Sequence, residues 1–188
     1  QKWSTSRICT NAYRDSILFC VNGLWQMDLE VFRAIHFGLH RDWLDPIFWA
    51  FSYSGLGWMQ GLAILLMLTR KDFRQWVAPL FASLLVSGFV LGDSLKALIP
   101  RERPSNLPWA HPQEEFFTRS FPSGHTLAAF CSAAVLSRPG HRAGNAGLYA
   151  AAAAIGASRI HLRDHHASDV LGGVVIGTAL GLVVRALR

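Results

Sequence analysis

Acidic residues are scarce in this chain: Asp and Glu number 12, against 18 Lys and Arg, in 188 residues. Charged residues of either sign make up 16%, whereas 51% of the residues are hydrophobic. A soluble domain of this length rarely needs so much apolar sequence, so the composition favours a membrane protein. The basic excess indicates attraction to anionic lipid or phosphate. Nucleic acid is disfavoured as a partner, because the basic residues lie between apolar runs and not along one polar face.

Cysteine is also rare, and its spacing excludes the common cysteine-based sites. Cys9, Cys20 and Cys131 form neither a CxxC pair nor the spacing of a zinc site. Whether Cys9 and Cys20 form a disulfide stays open at this stage. The sequence starts without a basic segment, a short apolar run and a small-residue cleavage site, so we expect no signal peptide.

The sequence contains several long apolar runs. About 20 residues cross the hydrocarbon of a bilayer, and four runs are long enough, at roughly 44–69, 75–99, 144–162 and 168–187. A shorter run at roughly 123–137 is apolar on all sides and must be buried in protein or lipid. The sequence therefore predicts an all-α polytopic membrane bundle of about five spans.

The first 43 residues differ from the rest, because their apolar stretches are short or amphipathic. We expect interfacial helices there, with "DSILFCVNGLWQM" and "LEVFRAIHFGL" as candidates, and a sixth span hidden in this segment is the alternative. The chain thus divides into an N-terminal interfacial segment, 1–43, and a membrane domain, 44–188.

Small residues recur at every fourth position of the last apolar run, at Gly173, Gly177 and Gly181. Such a row allows two helices to approach closely. It favours close packing of this helix within its own bundle, and a homodimer face is the alternative.

The charged connections indicate how the bundle is oriented. With five spans, "RKDFR" at 70–74 and the connection at 138–143 fall on one side with the basic C-terminus. Positive residues concentrate on the cytoplasmic side of membrane proteins. We therefore expect a multi-pass protein of the bacterial inner membrane, whose connections at 100–122 and 162–167 face the periplasm or the exterior.

Three polar clusters fall at that outward end: "KALIPRERP" at 96–104, "FPSGHT" at 121–126 and "SRIHLRDHHASDV" at 158–170. Polar residues at membrane depth are costly, and those that persist usually mark a functional site. The clusters therefore predict one site at the membrane face.

Fixed positive charge is the first ingredient of this site. Lys96, Arg103 and Arg159 would complement the oxygens of a transferring phosphoryl group. Lys96 or Arg103 alone is more often an interfacial side chain. A helix beginning near Ser123 and Gly124 would add backbone N–H groups and a capping hydroxyl near the same anion.

Two histidines supply the reactive groups. His165 and Asp169 are four residues apart, so on a helical turn they would share a face. The carboxylate would then orient the ring and leave its other nitrogen as a nucleophile. His125 would then protonate the leaving oxygen. For His161 and His166 we favour a role in loop shape or headgroup contact. A metal site at His161, His165 and Asp169 is disfavoured, because neighbouring Arg and Lys would repel a cation.

These residues resemble the three motifs of the type 2 phosphatidic acid phosphatase family: Lys-x6-Arg-Pro, Pro-Ser-Gly-His and Ser-Arg-x5-His-x3-Asp. The motifs span 96–104, 122–125 and 158–169 here, with no departure in residue type or spacing. The resemblance covers about residues 44–187. It implies a metal-independent phosphatase without a cofactor.

The resemblance also implies a role for each matching residue. His165 would attack phosphorus and form a phosphohistidine, Asp169 would orient it, and His125 would be the general acid. The phosphate-binding residues would be Lys96, Arg103, Ser123, Gly124 and Arg159. In "RDHHASD" the motif makes His165 the nucleophile in preference to His166.

The predicted spans disfavour the soluble acid phosphatases and haloperoxidases of that family and leave a lipid phosphate as the substrate. The layout is similar to that of bacterial undecaprenyl pyrophosphate phosphatases. Phosphatidylglycerophosphate, phosphatidic acid and lipid A are the alternative substrates. A noncatalytic lipid-phosphate-binding protein is disfavoured, because binding a phosphate needs only the cations.

Overall fold

The computed structural model describes residues 23, 25–38, 41, 43–99, 101–104 and 119–187. These residues are almost entirely helical, and the only β-type pairing among them is one isolated bridge between Glu102 and Arg119. The all-α prediction is therefore confirmed. The candidate disulfide between Cys9 and Cys20 lies outside the described residues.

The helices follow one another with short connections. Residues 25–38 form α1. The others are α2 (Asp45–Ser54), α3 (Gly57–Met67), α4 (Arg74–Leu85), α5 (Asp93–Leu98), α6 (Gly124–Leu136), α7 (Arg142–His161) and α8 (Ala167–Ala186). A π-helical segment, Val86–Gly92, joins α4 to α5, so that 74–98 is one continuous helical run.

Two of these helical runs are long and apolar enough to cross a membrane. They are 74–98, with a mean hydropathy of 1.6, and α8, with 1.9. Most of each apolar stretch faces away from the rest of the protein, since only 22% and 28% of the two stretches are buried. Phe89 and Val175, for example, are 74% and 68% exposed. The runs predicted at 75–99 and 168–187 are thus found as helices of spanning length.

The run predicted as a single span at 44–69 is divided in the structure into two helices, α2 and α3. The break falls at Gly55 and Leu56, and Leu56 has extended backbone angles. Gly55 lies tightly against other helices: a Cβ there would be 2.7 Å from Ile155 Cγ2 and 3.0 Å from His125 Cδ2. At about 1.5 Å per residue, α2 and α3 together still have roughly the length of one crossing.

The runs at 123–137 and 144–162 form α6 and α7, within one or two residues of their predicted ends. The alanines at 150–154 favour the helical state of α7, since alanine has the highest helix propensity. Helix α6 is central, and Leu127, Ala134 and Val135 are fully buried. Its apolar surface on all sides is therefore covered by protein, in agreement with the prediction for 123–137.

Helix α8 packs against α6 through its row of glycines. A Cβ at Gly173 would lie 2.8 Å from the carbonyl oxygen of Ser123, and one at Gly181 would lie 2.5 Å from that of Cys131. Gly177 approaches the carbonyl oxygen of Leu127 more closely still. The row therefore packs within its own bundle, which is the arrangement that the sequence favoured over a homodimer face.

The basic connections gather at one end of the bundle. Arg138, just after α6, lies over Trp76 near the start of α4, with 5.3 Å between its guanidinium carbon and the ring centroid. Arg185, near the end of α8, donates to the carbonyl oxygen of Ser137 across 3.4 Å. The polar clusters lie at the opposite end.

Helix α1 packs at the end of the bundle that carries the polar clusters. Phe32 is buried in a cluster with Ile160 of α7 and Val170 of α8. His36, one turn further on, donates a hydrogen bond from Nδ1 to the carbonyl oxygen of His161 across 2.8 Å. The helical state expected for "LEVFRAIHFGL" is confirmed for the described residues.

Candidate active site

The three motifs meet at one end of the bundle. In the first motif, Lys96 lies on α5 and Arg103 follows that helix. In the second, Ser123 precedes α6, and Gly124 and His125 begin it. In the third, Arg159 lies in the last turn of α7, His165 in the next loop and Asp169 in the first turn of α8. The backbone N–H of Ser123 donates to the carbonyl oxygen of Asp169 across 3.0 Å. This bond ties the second motif directly to the third.

The loop between α7 and α8 folds back onto the end of α7. The carbonyl oxygen of Arg159 accepts the backbone N–H groups of Asp164, at 3.0 Å, and of His165, at 3.2 Å. His166 is the N-cap residue of α8, and its backbone N–H donates to Asp169 Oδ2 across 2.8 Å. The spacing His-x3-Asp therefore places His165 just before the helix, and not on a helical turn with Asp169 as the sequence suggested.

His165 and Asp169 are both fully buried and face each other. His165 Nδ1 lies 3.7 Å from Asp169 Oδ2. Ser120 Oγ lies close to both, 3.4 Å from His165 Nδ1, and donates a hydrogen bond to Asp169 Oδ2. Because Nδ1 faces these oxygens, Nε2 is the ring nitrogen that is left to react with a substrate.

The surroundings of His165 keep its ring neutral. Burial lowers the pKa of His165 to about 3, and the positive charges of Arg159 and Arg103 act in the same direction, against the opposing effect of Asp169. At neutral pH the ring is therefore uncharged, with one of its two nitrogens protonated. An imidazole must be neutral to act as a nucleophile.

The cations of the three motifs act on the same region. Lys96, Arg103 and Arg159 all interact electrostatically with His125. Arg159 is almost fully buried, where its Nη2 lies 3.1 Å from Asp164 Oδ2 and its Nη1 donates to Ser52 Oγ of α2. A buried, fixed guanidinium of this kind is suited to binding a phosphate.

Ser123 occupies the N-cap position of α6, as predicted, but its side chain makes no capping hydrogen bond. Its hydroxyl accepts a hydrogen bond from Thr126 Oγ1 across 2.9 Å. The capping role predicted for Ser123 is therefore wrong. The first turn of α6 still begins at the site, where helix N–H groups favour an anion.

A cavity of about 430 Å³ opens beside His125. Asp93, Lys96 and His125 are among its polar lining residues, and Trp58 and Phe89 are among its apolar ones. A cavity that is mostly apolar but has a few polar groups suits an amphiphile that carries a phosphate.

The neighbouring histidines have structural contacts. His161 Nε2 lies 2.8 Å from Asp45 Oδ1. The ring of His166 packs against those of Trp25 and Phe32, with centroid separations of 5.1 and 5.9 Å. Both histidines are buried, in agreement with the predicted role in loop shape. Within the described ranges, no group of three or more His, Cys, Asp or Glu side chains is arranged to hold a metal ion.

The sequence motifs did not identify several residues that complete this site. Arg101 and Ser120 bind the carboxylate of Asp169, and Ser52 and Asp164 bind Arg159. Arg101 lies within the first polar cluster and Ser120 directly precedes the second, but nothing in their spacing indicates these contacts.

Comparison with known proteins shows the family to which the chain belongs. The PAP2 superfamily profile matches residues 76–188, which is more than half of the chain. The crystal structure of Aquifex aeolicus LpxE is similar, with 32% identity and a TM-score of 0.73 over 83% of this chain and 93% of that one. A PAP2-type phosphatidylglycerolphosphate phosphatase from Bacillus subtilis shares the fold, with 23% identity and a TM-score of 0.63 over 88% and 86% of the two chains. No curated protein matches the chain.

The family match and the two structural neighbours support a class: membrane phosphatases that act on lipid phosphates. The chain belongs to the PAP2 superfamily, in agreement with the motifs in its sequence.

Proposed function

We propose that this protein removes a phosphate group from a membrane lipid through a phosphohistidine at His165. The observation that carries the proposal is that Nδ1 of His165 faces Asp169 Oδ2 at 3.7 Å, which directs Nε2 to the substrate. His125 is the general acid. The phosphate oxygens are bound by Lys96, Arg103, Ser123, Gly124 and Arg159.

The reaction has two steps, and both are displacements at phosphorus. In the first, Nε2 of His165 forms the P–N bond while the P–O bond to the lipid breaks, and His125 gives its proton to the departing oxygen. In the second, water attacks phosphorus and gives a proton to the now neutral His125, and the P–N bond breaks. Asp169 stabilises the positive charge on His165 while it carries the phosphoryl group.

The cations replace a metal in this mechanism. The charge that develops on the three phosphoryl oxygens is met by guanidinium and ammonium groups, as electrostatic stabilisation in a dry site requires. We therefore expect turnover without Mg²⁺ or any other cofactor.

The substrate we propose is undecaprenyl pyrophosphate, on the outer leaflet of the bacterial inner membrane. This choice depends on the orientation of the bundle: the basic end formed around Arg138 and Arg185 lies opposite the site, and basic ends favour the cytoplasm. The alternative is a phosphatase of phosphatidylglycerophosphate, phosphatidic acid or lipid A, and no residue of the site separates these three substrates.

A panel of lipid substrates tests this function. The purified protein in detergent should release phosphate from at least one of undecaprenyl pyrophosphate, phosphatidylglycerophosphate, phosphatidic acid and lipid A, at the same rate with and without EDTA. Vanadate should inhibit, because it takes the five-coordinate geometry of the transition state. Activity that EDTA abolishes and Mg²⁺ restores would contradict the mechanism.

Cysteine labelling tests the orientation. After replacement of Cys9, Cys20 and Cys131, a cysteine at Gln113 should react with a membrane-impermeant maleimide in intact spheroplasts. One at the exposed Asp72, in the connection at the basic end, should react only after lysis. The reverse pattern would refute the outward site and favour phosphatidylglycerophosphate or phosphatidic acid as the substrate.

A further inference from the structure

Three groups other than His165 bind the carboxylate of Asp169. Arg101 Nη1 donates to its Oδ1 across 2.7 Å. Its Oδ2 accepts from Ser120 Oγ and from the backbone N–H of His166. These bonds fix both oxygens, so that Oδ2 is held facing His165.

Arg101 is itself held between two carboxylates. Its Nη1 binds Asp169, and its Nη2 forms an ion pair with Asp28 of α1. The ring of Trp25, also on α1, lies 4.9 Å from the guanidinium carbon. A planar guanidinium can make these separate bonds at fixed angles, which a lysine ammonium cannot reproduce.

Asp28 also binds the first turn of α8. Its Oδ1 accepts the backbone N–H of Ser168 across 2.9 Å, and its Oδ2 accepts the Ser168 hydroxyl across 2.6 Å. It therefore caps α8 from a different helix and satisfies a free N–H group of that terminus. Burial would raise the pKa of Asp28, but the bonds from Ser168 and Arg101 outweigh it and hold that pKa below its usual value.

The attachment of α1 to the bundle does not depend on Asp28 alone. Phe32, one turn further along α1, is buried against Ile160 and Val170. Trp25, Asp28 and Phe32 follow the spacing of one helix face. A change at Asp28 should therefore leave α1 in place and disturb only the contacts of Arg101 and Ser168.

We propose that Asp28 and Arg101 are positioning residues for the nucleophile: Asp28 holds Arg101, Arg101 holds the carboxylate of Asp169, and Asp169 orients His165. This inference rests on the proposed function. It assigns α1, which lies outside the three motifs, to the catalytic apparatus. It also explains why an arginine stands at 101, where the motif Lys-x6-Arg-Pro asks for no particular residue.

Kinetics of matched variants test the proposal. Arg101→Gln should lower kcat about 10-fold to 100-fold, and Asp28→Asn about 10-fold, because the lost bonds are charge-assisted. KM should change less than about threefold, because neither side chain contacts the substrate in the proposed site. Arg101→Lys should recover only part of the loss. Glu30→Gln removes the same charge from an exposed position of α1 and should leave kcat unchanged.

A double-mutant cycle separates positioning from a general loss of structure. In an Asp169→Asn background, Arg101→Gln should lower kcat by less than about threefold, because the carboxylate that Arg101 holds is gone. An equal loss in both backgrounds, or an Asp28→Asn variant that matches Glu30→Gln, would overturn the inference. If Arg101→Gln does not fold, the Asp28→Asn comparison decides alone. Failure of the proposed function would instead appear as an inactive wild-type protein.

Discussion

Replacing His165 with alanine is expected to abolish phosphate release from every substrate, whereas His125→Ala should lose activity selectively. Without His165 there is no nitrogen to accept the phosphoryl group, so kcat should fall by about 10³-fold or more. Without His125 a poor leaving group is unprotonated, which costs roughly 10²-fold to 10⁴-fold.

The leaving group distinguishes the two roles. The aryl oxide released from an aryl phosphate departs with little protonation, so His125→Ala should recover much of its first-step rate on that substrate, and His165→Ala should recover none. Rates on a lipid phosphate and on an aryl phosphate, measured side by side, check this. His141→Ala, at an exposed position near the basic end, is the control and should keep the wild-type rate on both. Equal losses in the His125 and His165 variants on both substrates would contradict the assignment.

A single methyl group between α6 and α8 is expected to destabilise the protein. In Gly177→Ala the new Cβ would meet the carbonyl oxygen of Leu127, which belongs to a buried helix and cannot move aside as a flexible side chain can. Overpacking of this kind costs about 1–3 kcal/mol, and more where backbone must move. The effect should extend to activity, because the two helices carry His125 and Asp169.

Thermal unfolding in detergent checks this prediction. The midpoint for Gly177→Ala should fall clearly below that of the wild type. Gly147→Ala is the matched control, because Gly147 lies in α7 with open space around its Cβ direction. Alanine there favours the helix by up to about 1 kcal/mol, so its midpoint should stay level or rise. A Gly177→Ala protein as stable as the wild type would show that α6 and α8 do not pack through this row.

Much of the helical architecture could be predicted because apolar run length is a local property. The runs at 75–99, 144–162 and 168–187 all become helices. The break at Gly55 could not be predicted, since the residues 44–69 are apolar on both sides of it. At the break, Gly55 packs closely against His125 and Ile155, which lie far along the chain.

In the site, too, the motif residues could be predicted from the sequence, whereas contacts between distant residues could not. The motifs predicted which histidines and cations would meet, and the structure brings them to one end of the bundle. The motifs could not reveal Asp28, because its bond to Ser168 joins residues 140 positions apart. Ser120 and Arg101 were missed for the same reason: each is an ordinary polar residue until the fold places it beside Asp169.

Trapping the phosphorylated protein tests the central claim most directly. The wild type should be mixed with ³²P-labelled substrate, stopped in alkali during turnover, and digested. We expect a label that is stable in alkali and lost in acid, carried by the peptide between Arg163 and Arg185 and assigned to His165 by fragmentation. His165→Ala should carry no label. A label on His166, or turnover of the wild type without any labelled histidine, would contradict the account.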